Sequence, residues 1–161
     1  MERKRLRIFR EEKGQSLVEV SAGLVFLLLI AIIVFEAGIV FSSYIALLNA
    51  AREGAMFASS HSWLDPDDTN PAHIEDYQKY ERLIKNEARN GGLTDMKRLI
   101  INPPVSVDKD GNGKIEPGEP IEVSVQYQVV TFTSTISLPY FGRLGLPNYW
   151  PVTAKVVMPI R

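Results

Sequence analysis

The chain has no cysteine and only two histidines, His61 and His73, among 161 residues. Without thiols there is no disulfide framework, no zinc knuckle and no thiolate nucleophile. The two histidines lie twelve positions apart with an Asp- and Pro-rich break between them, a spacing that fits neither zinc ligation nor the His-Glu-x-x-His helix of a metalloprotease. Each reads as a surface residue. No Gly-x-Ser-x-Gly elbow occurs, and no Gly-rich phosphate loop closes on Lys-Ser or Lys-Thr. Asp67, Asp68, Glu75 and Asp76 form carboxylate pairs in a loop and a first helical turn, where acids are ordinarily just solvated. With no catalytic constellation, the sequence points away from an enzyme. A basic stripe is missing as well: after residue 14 the chain holds twelve Lys and Arg against sixteen acids, a balance of −4. Nucleic acid therefore finds no electrostatic footprint.

Charge and apolar residues are segregated along the chain. The first fourteen residues hold six bases, Arg3, Lys4, Arg5, Arg7, Arg10 and Lys13, against Glu2, Glu11 and Glu12, so the stretch is +3. Val20 to Phe35 then gives sixteen consecutive residues without a charge. At about 1.5 Å per helical residue that run covers roughly 24 Å, short of the roughly 30 Å of bilayer hydrocarbon. Ala37 to Leu48 is apolar again, so a helix continued through Glu36 reaches a full span with one carboxylate inside it. Bases ahead of a span belong in the cytoplasm, which places the rest of the chain outside. A cleaved secretory signal would end after about seven to fifteen apolar residues at a small-x-small site. The best candidate here, Leu48-Asn49-Ala50, has Leu where a small residue is needed.

Directly before the apolar run stands Lys13-Gly14-Gln15-Ser16-Leu17-Val18-Glu19, a glycine followed five residues later by a glutamate. This resembles the processing site of type IV pilin-like precursors. Together with Phe35-Glu36-Ala37-Gly38 and Asn49-Ala50-Ala51-Arg52-Glu53-Gly54-Ala55, it resembles the TadE-like proteins of tight-adherence pili over residues 14 to about 58. The resemblance implies cleavage between Gly14 and Gln15 on the cytoplasmic face by prepilin peptidase, a membrane aspartic peptidase. It also implies partnership with other pilin subunits and pilus-assembly proteins. Conventional type IVa pilins carry Phe at the first mature position; Gln15 there favours the tight-adherence class.

Glu19 has a physical reading of its own. A carboxylate at the edge of an apolar span is expensive to bury unless paired. The α-amino group freed at Gln15, on the same or a neighbouring subunit, would supply the partner; otherwise Glu19 is solvated at the headgroup boundary. Glu36 reads either as an outer-interface residue or as part of helix packing.

Past the span, Ala46, Ala50, Ala51, Gly54, Ala55 and Ala58 suit close helix packing in an assembly, although Ala is also simply a good helix former. Ser62 to Pro71 is a break. Helix resumes from about Ala72 to Asn90 with Ile74, Tyr77, Leu83, Ile84 and Ala88 on an apolar face, stopped by Gly91-Gly92. Pro120 to Gln128 alternates as a strand, Ile121, Val123, Val125 and Tyr127 against Glu122, Ser124, Gln126 and Gln128. Lys97 to Val107, broken at Pro103-Pro104, and Val152 to Met158 are further strands. Leu138 to Pro151 is an unusually apolar loop whose Tyr140, Phe141, Tyr149 and Trp150 read as core cover or as a contact surface.

Asp108 to Glu119 reads DKDGNGKIEPGE. This fits the twelve-position calcium loop: acids or amides at one, three and five, Gly at six, an aliphatic at eight and Glu at twelve. Asp108, Asp110 and Asn112 would give side-chain oxygens, Lys114 its carbonyl, Glu116 a direct or water-mediated oxygen and Glu119 a bidentate carboxylate, with Gly113 making the sharp turn. Val105-Ser106-Val107 before it, and Pro117 and Pro120 after, make it a loop between strands and not a helix-loop-helix sensor. The same residues also build metal-free turns.

The expected architecture is α+β: a basic cytoplasmic leader at 1–14, a transmembrane helix at 15–60, and an extracytoplasmic domain at 61–161 with a helix and an antiparallel sheet of about three strands. The expected function is that of a minor pilin or pilus-assembly structural protein of a tight-adherence pilus, supporting surface adhesion. The alternative is an unprocessed single-span membrane protein with an outer ligand- or partner-binding domain.

Overall fold

Helix α1 runs Glu2–Ala58, and α2 runs Pro71–Asn90. A 3-10 turn at Met96–Arg98 leads into strands β1 (Leu99–Ile101), β2 (Val105–Ser106), β3 (Pro120–Val129), β4 (Ser137–Leu138), β5 (Gly142–Arg143) and β6 (Trp150–Pro159). The computed structural model describes residues 2–112, 115–132, 137–138, 142–143 and 149–161, with no side chains for 2–13, 137–138 and 142–143. It divides into two compact units, Met1–Gly38 and Ile39–Arg161.

The first unit is helix alone. Leu17, Val20, Leu24, Phe26, Leu27, Ile33 and Phe35 all stand open, and in water no segment of this composition would leave so much apolar surface uncovered. Gly14–Ala58 is long and apolar enough to cross a membrane, and it is the only such helix among the described residues.

In the second unit the small residues of α1 meet the same chain's own α2 and sheet. Ala46, Leu47, Ala50, Ala51, Ala55 and Ala58 are buried with Tyr80, Ile84 and Ala88 of α2. A Cβ at Gly54 would come within 2.6 Å of Ile84 Cδ1, and one at Gly91 within 2.6 Å of Ala46 Cβ. These two close approaches set the helices antiparallel. The buried stripe of α2 is Tyr80, Ile84 and Ala88, extended by half-buried Tyr77 and His73. Ile74, expected on that face, is exposed, because the stripe steps back from Tyr77 to His73 and leaves Ile74 about 100° around the helix. Asn70 caps α2 by accepting from the Ala72 N–H at 3.1 Å, with Pro71 at the first helical position, the arrangement that satisfies an orphan donor and needs no N–H from the proline.

The sheet is antiparallel around β3, and it has four strands where the sequence suggested about three. β1 and β2 pair one side of β3 and β6 the other. Ile121, Val123, Val125, Tyr127 and Val129 face the core, alternating with half-buried polar neighbours. The extra strand arises at Pro103-Pro104, which cannot continue a ladder. Ile101 pairs Val125 and Val105 pairs Glu122, so three residues oppose two, a bulge. Asn102 repairs the gap. Its N–H donates to Ser124 O at 3.1 Å, its side-chain amide to Ser124 Oγ at 3.2 Å, and its carbonyl accepts from the Tyr80 hydroxyl at 3.1 Å. Burial raises the Tyr80 phenol far above its ordinary value, keeping it a neutral donor. Of the apolar loop, Tyr140 and Phe141 lie outside the described residues; Tyr149 and Trp150 are about half exposed, and Trp150 opens β6 opposite Val129.

Candidate functional site

Two segments hold the site residues expected from the sequence. In the first, Gly14 and Gln15 lie within α1, and apart from the neighbouring residues and the helix's own backbone nothing among the described residues lies within 4 Å of where a Gly14 Cβ would be. The Gln15 side-chain amide donates to Glu19 Oε1 at 3.3 Å, one helical turn on. Helical spacing thus brings position 15 to the carboxylate that begins the apolar run. Glu36 is half-buried on the same helix.

The second segment joins β2 to β3. The Val107 N–H donates to Pro120 O at 3.0 Å, closing the base of a long hairpin connection. Asp108, Asp110 and Glu119 each direct a carboxylate oxygen inward, all within 4.8 Å of one another. Glu119 is 9% exposed and is held at both oxygens: the Lys109 N–H donates to Oε1 at 2.8 Å and the Glu116 N–H to Oε2 at 2.9 Å. Asp108 Oδ1 accepts from Gly111 N–H at 2.7 Å, and Asp110 accepts from both the backbone and the side-chain amide of Asn112. Gly111 and Gly118 have φ of +74° and +98°, left-handed conformations that glycine tolerates best. Of the expected ligands, Asp108, Asp110 and Glu119 come together. Glu116 is exposed and outside that trio; Gly113 and Lys114 lie outside the described residues.

The donor set fits a hard divalent cation. Calcium takes oxygens at about 2.3–2.6 Å, so two ligands on opposite sides of one ion stand about 4.8 Å apart. Each carboxylate oxygen holding one N–H keeps a second lone pair for a metal. Three carboxylates this close repel one another by several kcal/mol at an effective dielectric of about 20, and a cation removes that cost.

Sequence reading missed two things around these segments. The C-terminal residues close on the acidic loop: the Gly118 N–H donates to Ile160 O and the Ile160 N–H to Glu119 O, both at 2.8 Å, while the Arg161 N–H reaches Ser59 O at 2.7 Å. No pattern in the chain announces those backbone contacts. The histidines also meet, through Trp63. His61 stacks on Phe57 at 4.0 Å and meets Trp63 edge-on at 5.2 Å, and His73 lies 5.6 Å from the same indole.

Residues 14–56, about a quarter of the chain, match the family model described as TadE-like protein, and this segment is similar to that family. Curated proteins and solved structures give no match.

Proposed function

We propose that this chain is a minor pilin or pilus-assembly structural protein of a tight-adherence pilus, cut by prepilin peptidase between Gly14 and Gln15. The observation that carries the reading is the coincidence of the TadE-like match at 14–56 with the exposed apolar helix at Gly14–Ala58. The basic leader stays in the cytoplasm and the domain at 61–161 lies outside, where the mature chain joins other pilin subunits and assembly proteins and supports surface adhesion. A peptidase takes its substrate extended, so α1 must open at residue 14. Glycine lowers that cost by about 1 kcal/mol relative to Ala.

Cutting there leaves Gln15 as a new α-amine beside Glu19, and burial in the membrane or filament favours an ion pair over two separate charges. The test is cellular. Gly14→Leu is expected to leave an uncut precursor still in the membrane. Glu19→Ala is expected to be cut and inserted yet depleted from sheared pili. Normal incorporation of Glu19→Ala would leave Glu19 a solvated headgroup residue.

The same proposal gives the hairpin connection a structural calcium ion, held by Asp108, Asp110 and Glu119, with Asn112, Lys114 and Glu116 as further oxygen donors. Its role there is to neutralise the acidic turn and fix the pairing of β2 with β3.

A further inference from the structure

The turn between α1 and α2 places both histidines of the chain against one indole. Trp63 is 44% exposed and is nonetheless held on several sides. Its Nε1–H donates to Asp76 Oδ2 at 3.2 Å, the His61 ring meets it edge-on, and the His73 ring lies beside it at a 32° tilt. His73 Nδ1 is hydrogen-bonded to Asp68 Oδ2 at 2.5 Å, and Asp68 Oδ1 accepts from the Asn70 N–H at 2.8 Å. Asp68 is thereby fixed in the turn that also caps α2. His61 Nδ1 lies 2.9 Å from the Phe57 carbonyl oxygen, and from α2 the Lys79 ammonium sits 5.3 Å from the Phe57 ring centroid. The charged groups facing the two imidazoles are therefore Asp68 from the turn and, one residue removed, Asp76 and Lys79 from α2.

We infer that this turn is a proton-sensitive clasp: a proton on His73 turns its hydrogen bond to Asp68 into an ion pair beside the Trp63 indole and tightens residues 62–73. The direction follows from the neighbours. With Asp68 ionised, the bond is charge-assisted even from a neutral His73; a proton on His73 adds the attraction of opposite charges in contact, and an aromatic face attracts a cation further. Among the described residues no carboxylate partners His61, whose Nδ1 meets Ser60 Oγ and Phe57 O, and its stack shares Phe57 with Lys79, so it does not carry the effect.

The Asn70 N–H and then the His73 ring hold the Asp68 carboxyl below the usual carboxylate range. Asp68 therefore remains ionised across about pH 5 to 8, where histidines change charge. The contribution of a depressed carboxyl is present above its ordinary value and is lost as pH falls through the lowered one. The clasp accordingly tightens on mild acidification and opens only in stronger acid.

The test is amide hydrogen exchange of the full chain in detergent micelles at pH 8 and pH 6, corrected for intrinsic rates. Protection within 62–73 is expected to rise severalfold at pH 6 while β3 is unchanged. His73→Gln and Asp68→Asn are each expected to abolish the rise, and His61→Gln to keep it. Equal protection at both pH values, or a rise that survives His73→Gln, overturns the inference. A parallel readout is Trp63 emission in a Trp150→Phe background, which should follow the same titration and lose it in His73→Gln.

Discussion

A methyl group at position 91 has no room. Gly91 sits at the end of α2 with φ −73° and ψ −1°, a conformation any residue adopts, so backbone freedom is not the reason for glycine there. The reason is contact: an added Cβ would stand 2.6 Å from Ala46 Cβ and 3.0 Å from Ala46 Cα, and backbone cannot step aside as a side-chain tip can. Gly91→Ala is expected to destabilise the second unit by about 1–3 kcal/mol, the usual cost of overpacking, as a lowered denaturation midpoint of the full chain in detergent. Asn70 acts at the other end of the helix. Asn70→Ala removes the cap on the Ala72 N–H and is expected to cost about 1 kcal/mol, whereas Asn70→Asp keeps the acceptor and is expected to cost little. Equal losses in the two variants would remove capping as the cause.

The hairpin connection between β2 and β3 is the element on which the proposed metal binding turns. Four acids, Asp108, Asp110, Glu116 and Glu119, fall within twelve residues, and three of them converge. Binding to the folded state alone adds RT ln(1 + [L]/Kd), about 2.7 kcal/mol at a hundredfold excess over Kd. A loop without flanking helices should bind in the range of extracellular modules, about 10⁻⁴ to 10⁻³ M. The unfolding midpoint is expected to rise in millimolar calcium and fall back with chelator, and Asp108→Ala and Glu119→Gln should each erase the difference. Identical midpoints with and without calcium would leave a metal-free turn. In that case Glu119→Gln would still destabilise, since one of its two held oxygens would become a donor facing a backbone N–H.

At the scale of the molecule, the parts legible in the sequence were those written in local patterns. The alternation of β3 and the glycine stop of α2 both depend on neighbours a few residues apart. The small residues of α1 were legible as a packing surface, but their partner was not: Ala46 meets Gly91 and Gly54 meets Ile84, contacts set by the turn between the helices. The meeting of His61 and His73 on Trp63 and the closure of Ile160 on Gly118 and Glu119 likewise depend on chain reversals that leave no periodic trace.

What the small residues do inside the second unit bears on assembly, because Ala46, Ala50, Ala51 and Ala55 are already covered by the chain's own side chains. On the proposed pilin reading, subunit contacts through α1 fall to the open apolar stretch from Leu17 to Phe35, in which Glu19 is the one acid. That assignment stands on processing at Gly14. The most direct measurement is the N-terminal residue of the protein recovered from membranes of cells that contain a prepilin peptidase. The account predicts a chain beginning at Gln15, with the six bases of the leader removed; a chain beginning at Met1 would contradict it.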